Sequence, residues 1–357
     1  MKSKVSFVCQ ECGYESPQWL GKCPECGVWN TLKEVQSSKF KVQSNGSLLE
    51  KIDVEPKRLD QIKFEKKLRL LTGFSELDTV LGGGIVRGSA ILLAGDPGIG
   101  KSTLLLQIAL KMSVGKSTVL YISGEESEDQ IKLRADRIYS KKNSNLLLLS
   151  NTNTDLVCEI IAKTKPILVI IDSIQTMESE NVSGLSGSVG QVRYGAFQFI
   201  KLAKTMGVPV VMVGHVTKEG MVAGPMVLSH MVDTVLFLEG EKFTSTRILR
   251  SLKNRFGPVD EVGIFAMEDV GIKEVNSPEQ LFLSKHDDKT VTGSIISVAM
   301  EGTRAFLIEI QALVVTSKIP IPRRVASGID YKRLELLLAV LQKHCNIPLS
   351  GMDVFVN

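Results

Sequence analysis

The sequence contains no long hydrophobic run. In its 357 residues, no apolar stretch reaches the roughly 18 residues that a membrane-spanning helix needs. Lysines occur among the first seven residues, but the apolar segment of a secretory signal does not follow them. We therefore expect a protein that neither crosses a membrane nor is secreted, and that works in the cytoplasm.

The sequence also has little net charge and few cysteines. Its 43 basic and 39 acidic side chains give a net charge of +4, which permits a nucleic-acid partner but is too small to indicate one. Four of the six cysteines form two Cys-x-x-Cys pairs, Cys9 with Cys12 and Cys23 with Cys26. In a protein that is not secreted, such pairs indicate metal ligation rather than disulfide bonds.

The cysteine pairs predict a zinc-binding head over residues 1–31. Four thiolates in this spacing suit tetrahedral Zn²⁺, and because they leave no open coordination position we expect a structural metal. A head this short is not expected to fold without it. The other two cysteines, Cys158 and Cys345, lie in apolar helical stretches and are expected to be buried free thiols.

Composition divides the rest of the chain into three segments. Residues 32–68 are polar and lysine-rich, which is typical of a linker. Residues 69–276 alternate apolar strands with helical stretches, which predicts an α/β domain with a mostly parallel sheet. Residues 277–357 form a third domain that we expect to be incomplete, because its final apolar run, residues 351–357, has no later segment to pair with.

Two stretches of residues 69–276 show the expected pattern clearly. The continuous apolar run Ile167–Ile171 is typical of a strand buried on both faces. Val189–Met206 predicts a long helix, and Asp155 is expected to cap the start of an earlier one.

Residues 95–102, Gly-Asp-Pro-Gly-Ile-Gly-Lys-Ser, match the phosphate-binding loop of nucleotide-binding proteins, between a strand and a helix. Its glycines let backbone N–H groups face a phosphate, and the helix N-terminus adds partial positive charge. We expect Lys101 to reach the β- and γ-phosphates of ATP, and Ser102 to bind Mg²⁺. The predicted nucleotide-binding residues are Gly95, Asp96, Pro97, Gly98, Ile99, Gly100, Lys101, Ser102, Thr103 and Asp172.

Three polar residues at predicted strand ends are candidates for the chemistry. Asp172 ends a buried strand near the ligand crevice and suits the Mg²⁺ shell, although it could instead cap the next segment. Glu125 suits the base that polarises water, whereas the adjacent Glu126 fits an acidic first helical turn better. His215 could contact the γ-phosphate or be an ordinary surface histidine, and the sequence does not decide between them.

These motifs together resemble the bacterial RadA (Sms) family of DNA repair proteins. The resemblance covers essentially the whole chain. It includes the two cysteine pairs with their flanking residues and the segments 81–86, 95–103, 121–127 and 214–220. The final match is the segment 253–257, Lys-Asn-Arg-Phe-Gly, which is similar to a signature of that family.

The resemblance implies a RecA-like ATPase core, with residues 277–357 matching the start of a Lon-protease-like α+β domain. It implies a DNA-dependent ATPase that forms a ring, expected to be a hexamer, and drives branch migration beside a RecA-type recombinase. The implied ligands are ATP, Mg²⁺, Zn²⁺ and single-stranded or branched DNA. Peptidase activity is not implied.

The resemblance also gives Lys253 and Arg255 a role. Cations in this region of RecA-like assemblies reach the ATP of a neighbouring subunit and stabilise charge on the transferring phosphoryl group. Without the family motif, the same residues would indicate only a basic turn at a strand end, with Arg247 and Arg250 nearby as solvated charges.

Two loops are expected to contact DNA. One covers residues 178–193, with Arg193 at its end and Tyr194 at its edge, and the other covers residues 217–225, with Lys218. We expect a mobile backbone and contact with DNA phosphates without base recognition. Ordinary surface loops would have the same composition.

Three functions fit the sequence. The first is a ring-forming DNA motor, the second is a RecA-like ring ATPase with a protein partner, and the third is a non-enzymatic adaptor that uses nucleotide to fix its conformation. The combination of Lys101, Glu125 and Asp172 favours the two enzymes over the adaptor. The cysteine-rich head and the motif at residues 253–257 favour the DNA motor.

Overall fold

The computed structural model describes residues 5–9, 15–24, 27–36, 58, 69–138, 145–214, 225–240, 245–275 and 292–357. The chain divides into two compact units, Met1–Glu274 and Val275–Asn357. The domain borders inferred from the sequence at residues 31 and 68 stay predictions. Among the described helices, none combines the length and the apolar character needed to cross a membrane.

The first strands of the chain form a small antiparallel sheet. Strand β1, Val5–Cys9, pairs with both β2, Glu15–Ser16, and β3, Leu32–Gln36. Cys9 and Cys23 are buried in a small cluster with Leu32. This arrangement brings one cysteine from each predicted pair into the same cluster.

A second, larger sheet forms the centre of the first unit. A two-stranded ribbon, β4 (Arg69–Leu70) and β5 (Ile85–Val86), precedes it. Its strands are β6 Ala90–Gly95, β7 Val119–Ser123, β8 Leu146–Ser150, β9 Leu168–Asp172, β10 Val210–Val213, β11 Thr234–Glu239, β12 Thr246–Asn254, β13 Val262–Glu268 and β14 Gly271–Glu274. Within the described residues they follow the order β14-β13-β12-β11-β6-β10-β9-β7-β8.

Six of these strands, from β11 to β8, run parallel, and β12 to β14 extend the sheet with antiparallel pairing. The helices are α1 Ser75–Val80, α2 Lys101–Met112, α3 Glu128–Ile138, α4 Thr154–Thr164, α5 Val189–Met206 and α6 Pro225–Met231. The predicted α/β class with a mostly parallel sheet is therefore confirmed.

Side chains of the central strands alternate between two apolar clusters. In β9, Leu168 and Ile170 belong to one cluster, whereas Val169 and Ile171 belong to the other. Because both faces are covered, every residue of β6, β7, β9 and β10 is buried. This double burial explains the continuous apolar runs in the sequence.

The start of α4 differs from the prediction. Asn153, rather than Asp155, caps this helix, and its side-chain oxygen accepts a hydrogen bond of 3.0 Å from the Leu156 N–H. Asp155 lies within the first turn, where its carboxylate accepts hydrogen bonds from Ser179 and Tyr194 instead. The prediction that Asp155 is the cap is therefore wrong.

The second unit is an α+β arrangement. Strand β15, Ser294–Glu301, forms a hairpin with β16, Arg304–Thr316, and helix α7 spans Tyr331–His344. The last strand, β18 (Met352–Val356), pairs antiparallel with β16 and parallel with β17, Arg324–Ala326. Residues 351–357 therefore pair with two earlier strands, and the expectation that this domain is incomplete stays a prediction.

Candidate nucleotide-binding site

The phosphate-binding loop connects the end of β6 to the start of α2. Gly95, Gly98 and Gly100 have φ values of 150°, 77° and 112°, a region that other residues rarely adopt. A Cβ atom at Gly95 would lie 2.3 Å from the Leu238 carbonyl oxygen, and one at Gly100 would lie 2.4 Å from Cε of Met267. The backbone contact with β11 therefore requires glycine at position 95, and the positive φ favours glycine at position 100. Around Gly98 the corresponding space is open.

Lys101 is the first residue of α2 and is only 4% exposed. Its Nζ atom donates hydrogen bonds of 2.8 Å and 2.9 Å to the carbonyl oxygens of Gly95 and Asp96. Burial lowers the pKa of Lys101, and the negative charges of Asp172, Asp96 and Glu125 oppose that shift. A cation therefore lies inside the loop with three carboxylates near it, which is the donor set that a nucleotide with Mg²⁺ requires.

Asp172 ends β9 at the edge of the sheet where the phosphate-binding loop lies. It pairs in register with Ser123, the last residue of β7, and is 7% exposed. The hydroxyl of the fully buried Tyr121 donates a 2.5 Å hydrogen bond to Asp172 Oδ2. Burial, followed by the charge of Asp172, raises the pKa of Tyr121 well above its ordinary value. Tyr121 is therefore a neutral donor that fixes one carboxylate oxygen and leaves the other to a ligand.

Glu125 and Glu126 have different environments. Glu125 is exposed, and its Oε1 atom accepts a 2.8 Å hydrogen bond from the hydroxyl of Ser173. Glu126 instead forms an ion pair with Arg134, whose Nη1 donates a 3.1 Å hydrogen bond to Oε1 and whose Nη2 lies 2.7 Å from Oε2. Because α3 begins at Glu128, neither residue lies in a first helical turn. Of the two, Glu125 is the carboxylate that lies near Lys101.

Strand β12 carries three of the basic residues considered in the sequence. Arg247, near its start, is 7% exposed, and its Nε–H donates a 3.1 Å hydrogen bond to the carbonyl oxygen of Ile99 in the phosphate-binding loop. Arg247 is therefore not a solvated charge, in contrast to the alternative interpretation of this region as a basic turn. Arg250 pairs with Glu239 on the neighbouring strand.

Lys253 and Arg255 lie at the opposite end of β12. The Nζ atom of Lys253 donates to the carbonyl oxygens of Ser229 and Val232, at 2.7 Å and 2.8 Å, just where α6 ends. Burial, followed by the charge of Arg255, lowers the pKa of Lys253. Arg255 donates a 3.2 Å hydrogen bond to the buried carboxylate of Asp233. Within one chain, both cations are held close to the end of α6.

The first candidate DNA loop is held by side-chain hydrogen bonds. Gln191, in α5, accepts from the Ser179 N–H and donates to the carbonyl oxygens of Ser179, Val182 and Gly184. The Ser186 hydroxyl contacts the carbonyl oxygens of residues 175 and 176. The structure therefore differs from the expected mobile backbone over residues 178–188. Arg193 is exposed in α5 rather than in the loop.

Several predicted site residues lie outside the described residues. They are Cys12, Cys26, His215 and Lys218, and most of the second loop, residues 217–225, lies outside as well. Among the described residues, no group of three or more histidine, cysteine or acidic side chains is placed to hold a metal. The two described predicted ligands, Cys9 and Cys23, are 1% and 0% exposed and suit a buried metal.

The remaining cysteines differ from their prediction. Cys345 is exposed, so the expectation that it is buried is wrong, whereas Cys158 is half-buried.

The sequence did not reveal three residues of the site, Tyr121, Ser173 and Arg247. For Arg247 a signal existed, because it alternates with the buried residues Leu249 and Ser251 along β12.

Two family models match the sequence. One, described as an AAA domain, matches residues 55–221, which include the phosphate-binding loop, Glu125 and Asp172. The other, described as a rubredoxin metal binding domain, matches residues 7–34, which include all four predicted zinc ligands. These matches support ATP as the nucleotide of the core and zinc as the metal of the head.

Two solved structures resemble the core. One is an ATPase domain that has a TM-score of 0.50 at 19% sequence identity, covering 57% of this chain and 90% of that one. The other, a DnaB-like replicative helicase described with its interactions with primase, has a TM-score of 0.51 at 18% identity, covering 57% of this chain and 61% of that one. At this identity the similarity concerns the fold, and it agrees with the RecA-like class predicted for the core.

Curated relatives match over nearly the full chain. DNA repair protein RadA of Bacillus subtilis (strain 168) is 46% identical across 99% of this chain and 78% of its own length. RadA of Halalkalibacterium halodurans is 45% identical across 100% of this chain and 78% of its own length. Because it shares this identity over nearly its whole length and matches both an ATPase domain and a zinc-ribbon head, the chain belongs to the RadA family of DNA repair proteins.

Proposed function

We propose that the chain is a DNA-dependent ATPase that moves along single-stranded DNA as a ring of identical subunits and processes branched recombination intermediates. The observation that carries ATP hydrolysis is the convergence of Lys101, Asp172 and Glu125 beside the phosphate-binding loop. The DNA partner is supported by membership of a family of DNA repair proteins.

Each residue of the loop has a defined task in this proposal. The backbone N–H groups of residues 95–103 bind the phosphates, and Lys101 exchanges its two carbonyl contacts for phosphate oxygens. Ser102 and Asp172 would hold Mg²⁺, which would supply positive charge to offset that of the phosphates. Tyr121 fixes the orientation of Asp172.

Glu125 is the proposed base. Its carboxylate is exposed, so a water molecule can approach it, and Ser173 holds one of its oxygens. Glu126 is less suitable, because Arg134 occupies both of its oxygens. His215, outside the described residues, remains a candidate contact of the γ-phosphate in this proposal.

We assign Lys253 and Arg255 to the neighbouring subunit's nucleotide. Both lie at the end of β12, and the Arg255 side chain is 52% exposed. A cation that reaches a neighbour's γ-phosphate stabilises charge in the transition state. The expected hexamer, the RecA-type recombinase partner and the Lon-like nature of residues 277–357 belong to the same proposal.

One observation favours the runner-up function, a ring ATPase with a protein partner. The ordered loop of residues 178–188 contains Glu178 and Glu180 but no lysine or arginine. It is therefore a poor contact for DNA phosphates, which leaves Arg193 and the second loop with Lys218 as candidates.

ATP hydrolysis with and without a single-stranded oligonucleotide, at two salt concentrations, separates the two functions. A DNA motor is stimulated by the oligonucleotide, and the stimulation weakens as salt rises because phosphate contacts are screened. Lys101→Ala is the control and should abolish turnover in every condition. ATP turnover that DNA leaves unchanged would favour the protein partner and contradict the proposed function.

A further inference from the structure

The chain contains only two tryptophans, and both lie on the surface of the zinc-ribbon head. Trp19 is 56% exposed and Trp29 is 67% exposed. Large aromatic side chains at such exposure in so small a domain are unusual, because folding normally buries much of an indole. Here the two side chains are also close to each other.

Gly21 shows how close the two rings are. A Cβ atom at Gly21 would lie 3.6 Å from Cη2 of Trp19 and 3.8 Å from Cζ3 of Trp29. The six-membered rings of both indoles therefore converge within 4 Å of one point, and glycine leaves the space between them without a side chain. We call Trp19 and Trp29 the tryptophan pair.

Two further contacts define this surface. The indole N–H of Trp19 donates a 3.1 Å hydrogen bond to the carbonyl oxygen of Leu32, which fixes the orientation of that ring against β3. The ammonium group of Lys22 lies 5.7 Å from the centroid of the Trp29 ring. A positive charge thus lies over the ring of Trp29, next to a Trp19 ring that its hydrogen bond orients.

We propose that the tryptophan pair and Lys22 form a second binding site for single-stranded DNA, in which unpaired bases stack on the indoles and Lys22 contacts the adjoining phosphate. Stacking on aromatic side chains is the common way in which proteins hold single strands without reading their sequence. The ligand class rests on the proposed DNA partner, whereas the site itself rests on the geometry of the head.

The charge of the head favours stacking over an electrostatic contact. Residues 1–36 contain four lysines and four glutamates, and four thiolates with one Zn²⁺ would add two negative charges, so the head has no net positive charge with which to attract a duplex backbone. Bases of a duplex are already paired and stacked, and they are not available to the indoles. The site should therefore prefer unpaired strands, with Lys22 supplying the phosphate contact among the described residues of the head.

Intrinsic fluorescence tests this site directly, because every tryptophan of the chain belongs to it. We expect a thymidine oligonucleotide to quench the emission of the full-length, zinc-loaded protein. The slope of log K against log salt should be about −0.7 or shallower, as expected for one phosphate contact on a single strand. A duplex and the polyanion heparin should leave the emission unchanged.

Variants of Trp29 provide the control. Trp29→Leu should weaken oligonucleotide binding at least about five-fold, read from the emission of Trp19, because one base loses its stacking partner. Trp29→Phe should recover most of the affinity, since phenylalanine also stacks. Leu133→Ala, which removes an exposed apolar side chain of α3, should bind like the unchanged protein.

The outcomes separate this inference from the proposed function. Two outcomes would overturn the stacking site and leave the DNA-dependent ATPase intact. In one, the oligonucleotide stimulates ATP hydrolysis but does not quench the emission. In the other, heparin quenches the emission as much as the oligonucleotide does. Quenching that Trp29→Leu weakens, without any stimulation of ATP hydrolysis, would support the stacking site and contradict the DNA-dependent ATPase.

Discussion

At the scale of single residues, the site depends on buried polar groups that hold its carboxylates. Tyr121 is the clearest case, because it lies in an apolar strand and its hydroxyl donates to Asp172. Burial and the nearby carboxylate raise the pKa of Tyr121, so the phenol stays protonated and remains a donor. Its role follows from geometry and would not be evident from its residue type.

Tyr121→Phe removes that donor without changing the volume of the ring. We expect a several-fold rise in the Mg²⁺ concentration needed for half-maximal ATP hydrolysis, because the Asp172 carboxylate loses its fixed orientation. A buried oxygen without its donor also costs about 1–3 kcal/mol of stability. Direct titration with Mn²⁺, followed by electron paramagnetic resonance, checks metal binding separately from turnover.

Tyr194→Phe is the matched control. Tyr194 also donates to a carboxylate, at 2.8 Å, but that carboxylate is Asp155 at the start of α4. The same chemical change should therefore leave the Mg²⁺ requirement where it is. An equal shift in both variants would mean that the effect of Tyr121→Phe is general and that Tyr121 has no specific role at Asp172.

The two free cysteines should differ in reactivity. Burial, followed by the negative charge of Asp155, raises the pKa of the Cys158 thiol to about 12, so little thiolate is present near pH 8. Cys345 is exposed after the end of α7. We expect iodoacetamide at pH 8 to label Cys345 much faster than Cys158, measured peptide by peptide with mass spectrometry. Equal rates would contradict the described burial.

At the scale of elements, β12 links the phosphate-binding loop to the proposed contact with a neighbouring subunit. Arg247 at its start contacts the phosphate-binding loop, and Lys253 at its end is the proposed contact with a neighbouring nucleotide. About six residues of extended strand separate them, a distance of about 20 Å. A movement of the phosphate-binding loop can therefore be transmitted along β12 to Lys253 and Arg255.

Arg247→Met tests the contact between β12 and the loop. The variant keeps much of the buried volume but leaves the Ile99 carbonyl oxygen without its donor, which costs about 1–3 kcal/mol. We expect weaker binding of ADP and a lower melting temperature, measured by titration calorimetry and thermal unfolding. Arg250→Met, on the same strand but paired with Glu239, should retain ADP affinity. Loss of affinity in both variants would argue against a specific role for Arg247.

Much of the core could be predicted because its physical signals are local. Strands buried on both faces produce continuous apolar runs, and the phosphate-binding loop needs glycine at particular backbone angles. The features that the sequence did not show are tertiary contacts. Asp155 and Arg247 have polar partners far away in sequence, and β18 pairs with strands that precede it. No local pattern shows such partners.

The nucleotide-binding site was also predictable only as far as its signals are local in sequence. The sequence placed Lys101 in the loop that follows one strand, and Asp172 and Glu125 at the ends of two others. Their proximity follows once the sheet is parallel. It did not distinguish the partners of Glu125 and Glu126, because Ser173 and Arg134 approach from different elements. Nor did it show that the tryptophans of the head converge at Gly21.

At the scale of the whole molecule, the proposed ring requires each active site to be shared between two subunits. One subunit supplies Lys101, Asp172 and Glu125, and its neighbour supplies Lys253 and Arg255. Within a single chain Lys253 donates to carbonyl oxygens at the end of α6. Its role in hydrolysis therefore depends on whether it reaches the nucleotide of a neighbour.

Lys253→Ala alone should lower kcat strongly while leaving nucleotide affinity nearly unchanged, because its target is a phosphate of another subunit. Lys101→Ala should be inactive by itself. When the two variants are mixed, some interfaces combine an intact phosphate-binding loop with an intact Lys253, so we expect more ATP hydrolysis than the two separate variants give together. Steady-state turnover across a series of mixing ratios measures this gain.

The matched control mixes Lys101→Ala with Glu125→Gln. Both changes affect the half-site that a single subunit supplies, so no interface in that mixture is complete and turnover should stay at the level of the parents. Recovery in the first mixture only would place Lys253 in the neighbour's site. Without recovery in either mixture, the sharing of sites between subunits would be wrong. Lys253 would then have only a structural role in its own chain, where it holds the end of α6.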